Sequence, residues 1–116
     1  MSDEVIRIYS GTRVTEIRQD DIICCEASEN CTKLKTVNGE RMFPLPLKIM
    51  EEKLNENKFL RISRSCLVNL SYITGFQPEK REVIVGENEV HVISVRKRTA
   101  CCKRINSTGT QCIMRH

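Results

Sequence analysis

Tryptophan is absent from this 116-residue chain, and three Phe and two Tyr are its whole aromatic content. Any core it builds is therefore aliphatic. No apolar run approaches the roughly 20 residues that a membrane-spanning helix needs. The first residues, Met1 to Glu4, are polar and acidic, unlike a secretory leader. The expectation is a cytoplasmic protein without membrane contact. A Gly-rich phosphate loop is also missing, and of the two histidines one is the last residue, His116. No nucleophile stands beside a recognisable base, so neither catalysis nor a small-molecule substrate is expected. Adjacent acids at Asp20-Asp21 and Glu51-Glu52 read as solvated surface.

Seven cysteines are present, but the number is odd and two pairs are vicinal, Cys24-Cys25 and Cys101-Cys102. Without a secretory leader these read as reduced thiols rather than a disulfide scaffold. Neither Cys-x-x-Cys nor His-x-x-x-His occurs, so the spacing predicts no metal site and no cofactor. Cys112, in a polar stretch near His116, is the thiol expected to be most exposed.

The length suits one domain with one site. Net charge is +4, and its distribution says more than its size. Residues 57–78 and 90–116 together carry nine Lys/Arg and no Asp or Glu, whereas the acids gather in 1–56 and 79–89. If folding joins the two acid-free segments, a positive surface results that can displace counterions from a polyanion. The alternative is a solvated cationic face followed by a disordered basic tail.

Short β-like runs separated by turn signals dominate the pattern. They are Val5–Tyr9, Thr12–Ile17, Ile22–Cys25, Cys31–Val37, Glu40–Phe43, Phe59–Ile62, Cys66–Leu70, Tyr72–Phe76, Glu82–Val85 and Val90–Ser94. Ala27–Asn30 reads as a polar loop, and Asn38-Gly39 as the centre of a type I′ hairpin. Leu47, Met50 and Leu54 fall at helical spacing behind Pro44 and Pro46, and Val95–Ile105 fits a short basic helix. The fold class expected is mostly all-β: an elongated antiparallel β-sandwich of about ten short strands with one or two short helices. Residues 1–106 would form the domain and 107–116 a flexible tail. Two adjacent helices of helix-turn-helix length are missing, which excludes that type of DNA reader.

The stretch Phe59-Leu-Arg-Ile-Ser-Arg-Ser-Cys-Leu-Val-Asn-Leu-Ser-Tyr-Ile73 resembles the central signature of the LytTR family, the output domain of LytR/AgrA-type transcriptional regulators in bacteria. Asp20-Asp21-Ile22-Ile23 with Glu26-Ala27-Ser28, the helix at Lys48–Leu54, and Val92-Ile-Ser-Val-Arg96 follow the same family order, so the similarity spans about residues 5–105. It implies an elongated β domain whose loops enter successive major grooves, and double-stranded DNA as partner, with promoter direct repeats and self-association on DNA. Members usually sit behind a receiver domain. Starting at Met1, this chain reads either as a stand-alone regulator or as an excised output domain.

Carried over position by position, the resemblance places DNA contacts near Thr32 and Lys33, on Arg64 with Ser63 and Ser65 beside it, and on Arg96 followed by Lys97 and Arg98. Thr32 is a shorter substitute where many relatives have a His or Tyr close by, and Ser63 occupies a place often held by His. The chemistry agrees independently. Arg donates a bidentate pair to guanine O6 and N7, which favours Arg64 and Arg96 for base readout in two major-groove segments. Lys33, Lys97, Arg98 and Lys103 suit phosphates, and Ser65 or Thr32 can add neutral bonds to the DNA backbone. Arg61 reads equally as a contact or as a strand residue with an ion-pair partner. Asn69 reads as structural, His91 as an exposed cross-strand residue, and Leu47, Met50 and Leu54 as core. The competing function is a non-catalytic protein-interaction module within a regulatory complex.

Overall fold

The computed structural model describes residues 4–107. Of the tail expected over 107–116, Ser107 is described and belongs to the last helix, and the rest, with Cys112 and His116, lies outside the described residues. β1 (Val5–Ser10) and β2 (Arg13–Arg18) form a hairpin in register from Val5↔Arg18 to Ser10↔Arg13, turning at Gly11 with φ +63°. Five strands follow in one antiparallel sheet: β3 (Ile22–Ser28), β4 (Cys31–Thr36), β5 (Gly39–Phe43), β6 (Phe59–Ser63) and β7 (Cys66–Asn69), ordered β5-β4-β3-β7-β6. A three-stranded sheet holds β8 (Ile73–Gln77), β9 (Glu82–Val85) and β10 (Glu89–Val92) in the order β10-β9-β8. Helices α1 (Leu47–Lys53) and α2 (Arg98–Ser107) complete the elongated fold.

Among the described residues, ten antiparallel strands and two helices are as the pattern indicated, but the strands divide into three sheets, not the two of a simple sandwich. The reason lies in the central sheet, which is apolar on both faces. On one face Cys25, Leu34, Phe59 and Leu67 pack with Ile6, Ile8 and Ile17 of the hairpin and with Leu47 and Met50 of α1. On the other, Cys24, Leu60, Ile62 and Val68 pack with Phe76, Val83 and Val85 of the three-stranded sheet, with Ile93, and with Cys101 and Ile105 of α2. Adjacent residues such as Cys24 and Cys25 therefore enter different cores, which explains a continuous apolar run where a half-solvated strand would alternate.

Two turns differ from expectation. β3 continues through Ser28, leaving only Glu29 and Asn30 at the tip, with Glu29 at φ +57°. In the next hairpin Thr36 pairs with Gly39, so Val37 and Asn38 form the loop, and Asn38 does not take a positive φ. Thr36 sets that register: its hydroxyl donates to the Gly39 carbonyl (3.0 Å) and accepts from the Asn38 amide (3.1 Å). Gly39, at φ +125°, takes up the unusual backbone angle instead.

Asn69 closes the central sheet as expected of a structural amide. It is buried, donates to the Ile22 carbonyl at 2.8 Å and accepts from the Ser71 amide at 2.9 Å. Among the described residues, no helix is long and apolar enough to cross a membrane.

Candidate nucleic-acid interface

Between β6 and β7 the chain reverses with Arg64 and Ser65 exposed. Arg61 fastens this turn from beneath. Its Nε donates to the Ser63 carbonyl (2.7 Å), Nη2 to the Arg64 carbonyl (2.6 Å) and Nη1 to Glu51 Oε1 on α1 (2.5 Å). The ion pair with Glu51 supplies the partner that its reading as a strand residue called for. Three of the five guanidinium N–H groups go to the protein's own acceptors. The Ser63 hydroxyl, half-buried, accepts from the Ser65 amide at 3.3 Å.

The second acid-free segment arrives beside this turn. The Ser94 amide donates to the Ile62 carbonyl at 2.9 Å, a 3-10 turn covers Val95–Lys97, and α2 then lays Cys101 Sγ 3.6 Å from the Arg61 carbonyl. Arg96 and Arg98 are exposed and Lys97 is half-buried. Arg64, Ser94, Arg96 and Lys97 line one open hollow. Folding thus unites the two cationic segments, and Arg64 and Arg96 face a shared space rather than separate ones. Lys103 is exposed on α2, whereas Arg104 donates to the Glu56 carbonyl at 3.0 Å.

The β3–β4 turn stands at the same end of the central sheet, since Glu26 pairs with Cys66 and the Ala27 amide donates to the Ser65 carbonyl at 2.9 Å. Here Thr32, expected near the DNA, faces inward. Thr32 is fully buried, and its hydroxyl donates to the Leu45 carbonyl at 2.8 Å, because strand alternation points it into the core. Lys33 points the other way, half-buried and 4.0 Å from Glu26 Oε1. The exposed tip is Glu29-Asn30, a polar pair legible in sequence as a loop but not as a site. Val95, between Ser94 and Arg96 in sequence, is 69% exposed, an apolar side chain amid cations.

A second polar cluster lies between the central and three-stranded sheets. Lys35 Nζ is 2.5 Å from Glu89 Oε2 and 3.4 Å from Glu26 Oε2. Burial works against the Lys35 charge, but the hydrogen bond to Glu89 and the two carboxylates outweigh it and push its pKa up. His91 is half-buried rather than exposed, with Nε2 2.9 Å from Glu89 Oε2 and Nδ1 3.5 Å from Cys66 Sγ. Burial, reinforced by neighbouring negative charge, pushes the Cys24 and Cys66 thiols up to about 12.

A three-layered, mostly-β domain with cations of two distant segments gathered round one hollow defines a class: a small module with a basic face suited to a polyanion. Residues 12–106 match the LytTr DNA-binding domain family, and the chain belongs to that family. It is thereby a non-catalytic DNA-binding domain of transcriptional regulation. Sensory transduction protein LytR of Staphylococcus haemolyticus is 30% identical over 69 residues, which are 60% of this chain and 27% of that protein. The chain thus spans about a quarter of the length of that curated relative. A solved LytTr DNA-binding domain, from a protein described as a methyl-accepting/DNA response regulator of Bacillus cereus, superposes with a TM-score of 0.71. That alignment covers 90% of this chain and 98% of the other at 16% identity, so the likeness concerns the fold alone.

Proposed function

We propose that this domain recognises specific double-stranded DNA sequences by setting the Arg64 turn and the 94–98 segment into a major groove. The observation that carries this reading is the shared hollow of Arg64 and Arg96, residues far apart in sequence. Two guanidinium groups meeting one stretch of duplex can each take a guanine edge, and the exposed Val95 next to Arg96 suits a thymine methyl. Lys97, Arg98 and Lys103 hold phosphates, helped by the α2 N-terminus beside Lys97, and Ser63 and Ser65 add neutral bonds to the DNA backbone. The β3–β4 turn, with Asn30 at its tip and Lys33 behind, reaches the adjoining stretch. Thr32 and Arg61 have no direct part, because their polar atoms are engaged inside the protein.

Selection of bound duplexes from a random pool at near-physiological salt tests this. The wild-type chain enriches one motif, and Arg64→Ala or Arg96→Ala blurs it at particular positions at a cost of about 1–3 kcal/mol, whereas Lys97→Ala weakens all duplexes alike. No enrichment above a basic control protein would move the reading to protein interaction. The observation favouring that second reading is edge strand β10, which exposes Val90 and Val92. We also propose that two copies occupy promoter direct repeats. Band-shift stoichiometry saturating at one copy on every repeated site would refute that.

A further inference from the structure

The cluster between the two larger sheets lies apart from the hollow and plays no role in the DNA reading. Cys24 and Glu26 occupy alternate positions on β3, Glu89 and His91 alternate positions on β10, and each pair therefore projects from one face of its strand toward the other. We propose that Cys24, Glu26, Glu89 and His91 form a site for one zinc ion.

Their ligand atoms all lie within 4.8 Å of one another. Four donors about 2.0–2.3 Å from a zinc ion stand about 3.3–3.8 Å apart. The measured separations of His91 Nε2 from Glu89 Oε2, 2.9 Å, and from Glu26 Oε2, 3.8 Å, bracket that range, so small side-chain rotations complete the set. One sulfur, one imidazole nitrogen and two carboxylates suit zinc, whereas calcium and magnesium call for oxygen alone. Cys66 Sγ, beside His91 Nδ1, holds the ring so that Nε2 faces the site.

A cation already occupies this position. The Lys35 ammonium sits between the two carboxylates, on a long side chain able to withdraw toward solvent. When zinc enters, the Cys24 thiol proton passes to solvent and Lys35 swings out. Two carboxylates, a thiolate and a divalent ion leave one net negative charge, the same as two carboxylates with one ammonium. The exchange preserves the charge of the cluster and replaces an ion pair with a cross-tie between the two sheets. Sequence spacing conceals the site because its donors come as Cys-x-Glu and Glu-x-His, one pair from each sheet.

Cobalt(II) is the probe, added to the reduced, untagged full chain without chelator. One equivalent is expected to produce the intense visible bands of four-coordinate cobalt and a thiolate-to-cobalt charge-transfer band, and zinc displaces it one for one. Cys24→Ser abolishes the charge-transfer band and His91→Gln weakens binding about tenfold or more, while Cys31→Ser leaves the spectrum intact. Should either cluster variant fail to fold, Lys35→Met decides: removal of the competing ammonium tightens cobalt binding. A pale six-coordinate spectrum without the charge-transfer band at excess cobalt, bands surviving both Cys24→Ser and His91→Gln, or unchanged affinity in Lys35→Met would overturn the proposal.

Discussion

Arg61 Nη2 donates to the main-chain carbonyl of Arg64 at 2.6 Å, so one arginine holds in place the turn that presents the other. Loss of this brace frees the Arg64 turn without removing any proposed DNA contact. Arg61→Ala is expected to weaken specific duplex binding several-fold. Arg61→Lys does not restore it, since a single ammonium cannot span the Ser63 and Arg64 carbonyls and Glu51 together. Fluorescence anisotropy with the selected duplex measures the affinity, and faster amide exchange in the 63–65 turn reports the loosening. Unchanged affinity beside faster exchange would show that the brace has no bearing on recognition.

The layered architecture was legible in particular residues. Ile6, Ile8 and Ile17 alternate with polar neighbours and lie on one core, while the unbroken Ile22-Ile23-Cys24-Cys25 run marks the strand buried on both sides. Arg64 and Arg96 were legible as residue types, whereas their meeting in one hollow depends on long-range contacts such as the backbone bond between Ser94 and Ile62. The family likeness fixes only a neighbourhood around Thr32 and Lys33, whereas strand alternation decides which of the two points inward. The Thr36 hydroxyl likewise displaced the hairpin by one residue from the position Asn38-Gly39 suggested. His91 and the Lys35 cluster join strands that are distant in sequence, and no local pattern signals such a meeting.

The six cysteines among the described residues should separate into two groups toward an alkylating reagent. Cys24, Cys25, Cys66 and Cys101 are buried, and burial is the leading cause that pushes each of their pKa values up. Few thiolates then exist at neutral pH, and those are shielded. Cys31 and Cys102 are partly exposed. Peptide mass spectrometry after brief native maleimide treatment is expected to find Cys31 and Cys102 labelled and the other four protected until the chain unfolds. Rapid labelling of Cys24 or Cys66 would contradict the packing described.

Asn69 ties two stretches of chain together, donating to the Ile22 carbonyl and accepting from the Ser71 amide just beyond it. Asn69→Ala leaves both groups without that partner at a site only 2% exposed, and the cost expected is about 1–3 kcal/mol. Urea unfolding should show a lower midpoint with an unchanged slope. Because the amide lies beneath the sheet, affinity for DNA measured well below the midpoint should stay within about twofold of wild type, or about 0.4 kcal/mol.

Thr32 and Lys33 offer the sharpest separation of structure from recognition, because they are sequence neighbours on opposite faces of β4. Thr32→Val keeps the shape of the side chain but deletes the bond to the Leu45 carbonyl, which is expected to cost about 1 kcal/mol of stability. Duplex affinity should not change, since nothing of Thr32 reaches the surface. Lys33→Ala should do the reverse. Its ion pair with Glu26, at 4.0 Å and partly exposed, adds little to stability, whereas loss of a phosphate contact lowers affinity for all duplexes and reduces the salt dependence by about one counterion. Paired urea melts and salt-series binding curves measure both quantities. A Thr32→Val variant of normal stability but impaired binding would return Thr32 to the DNA surface and require this turn to rearrange when it meets the duplex.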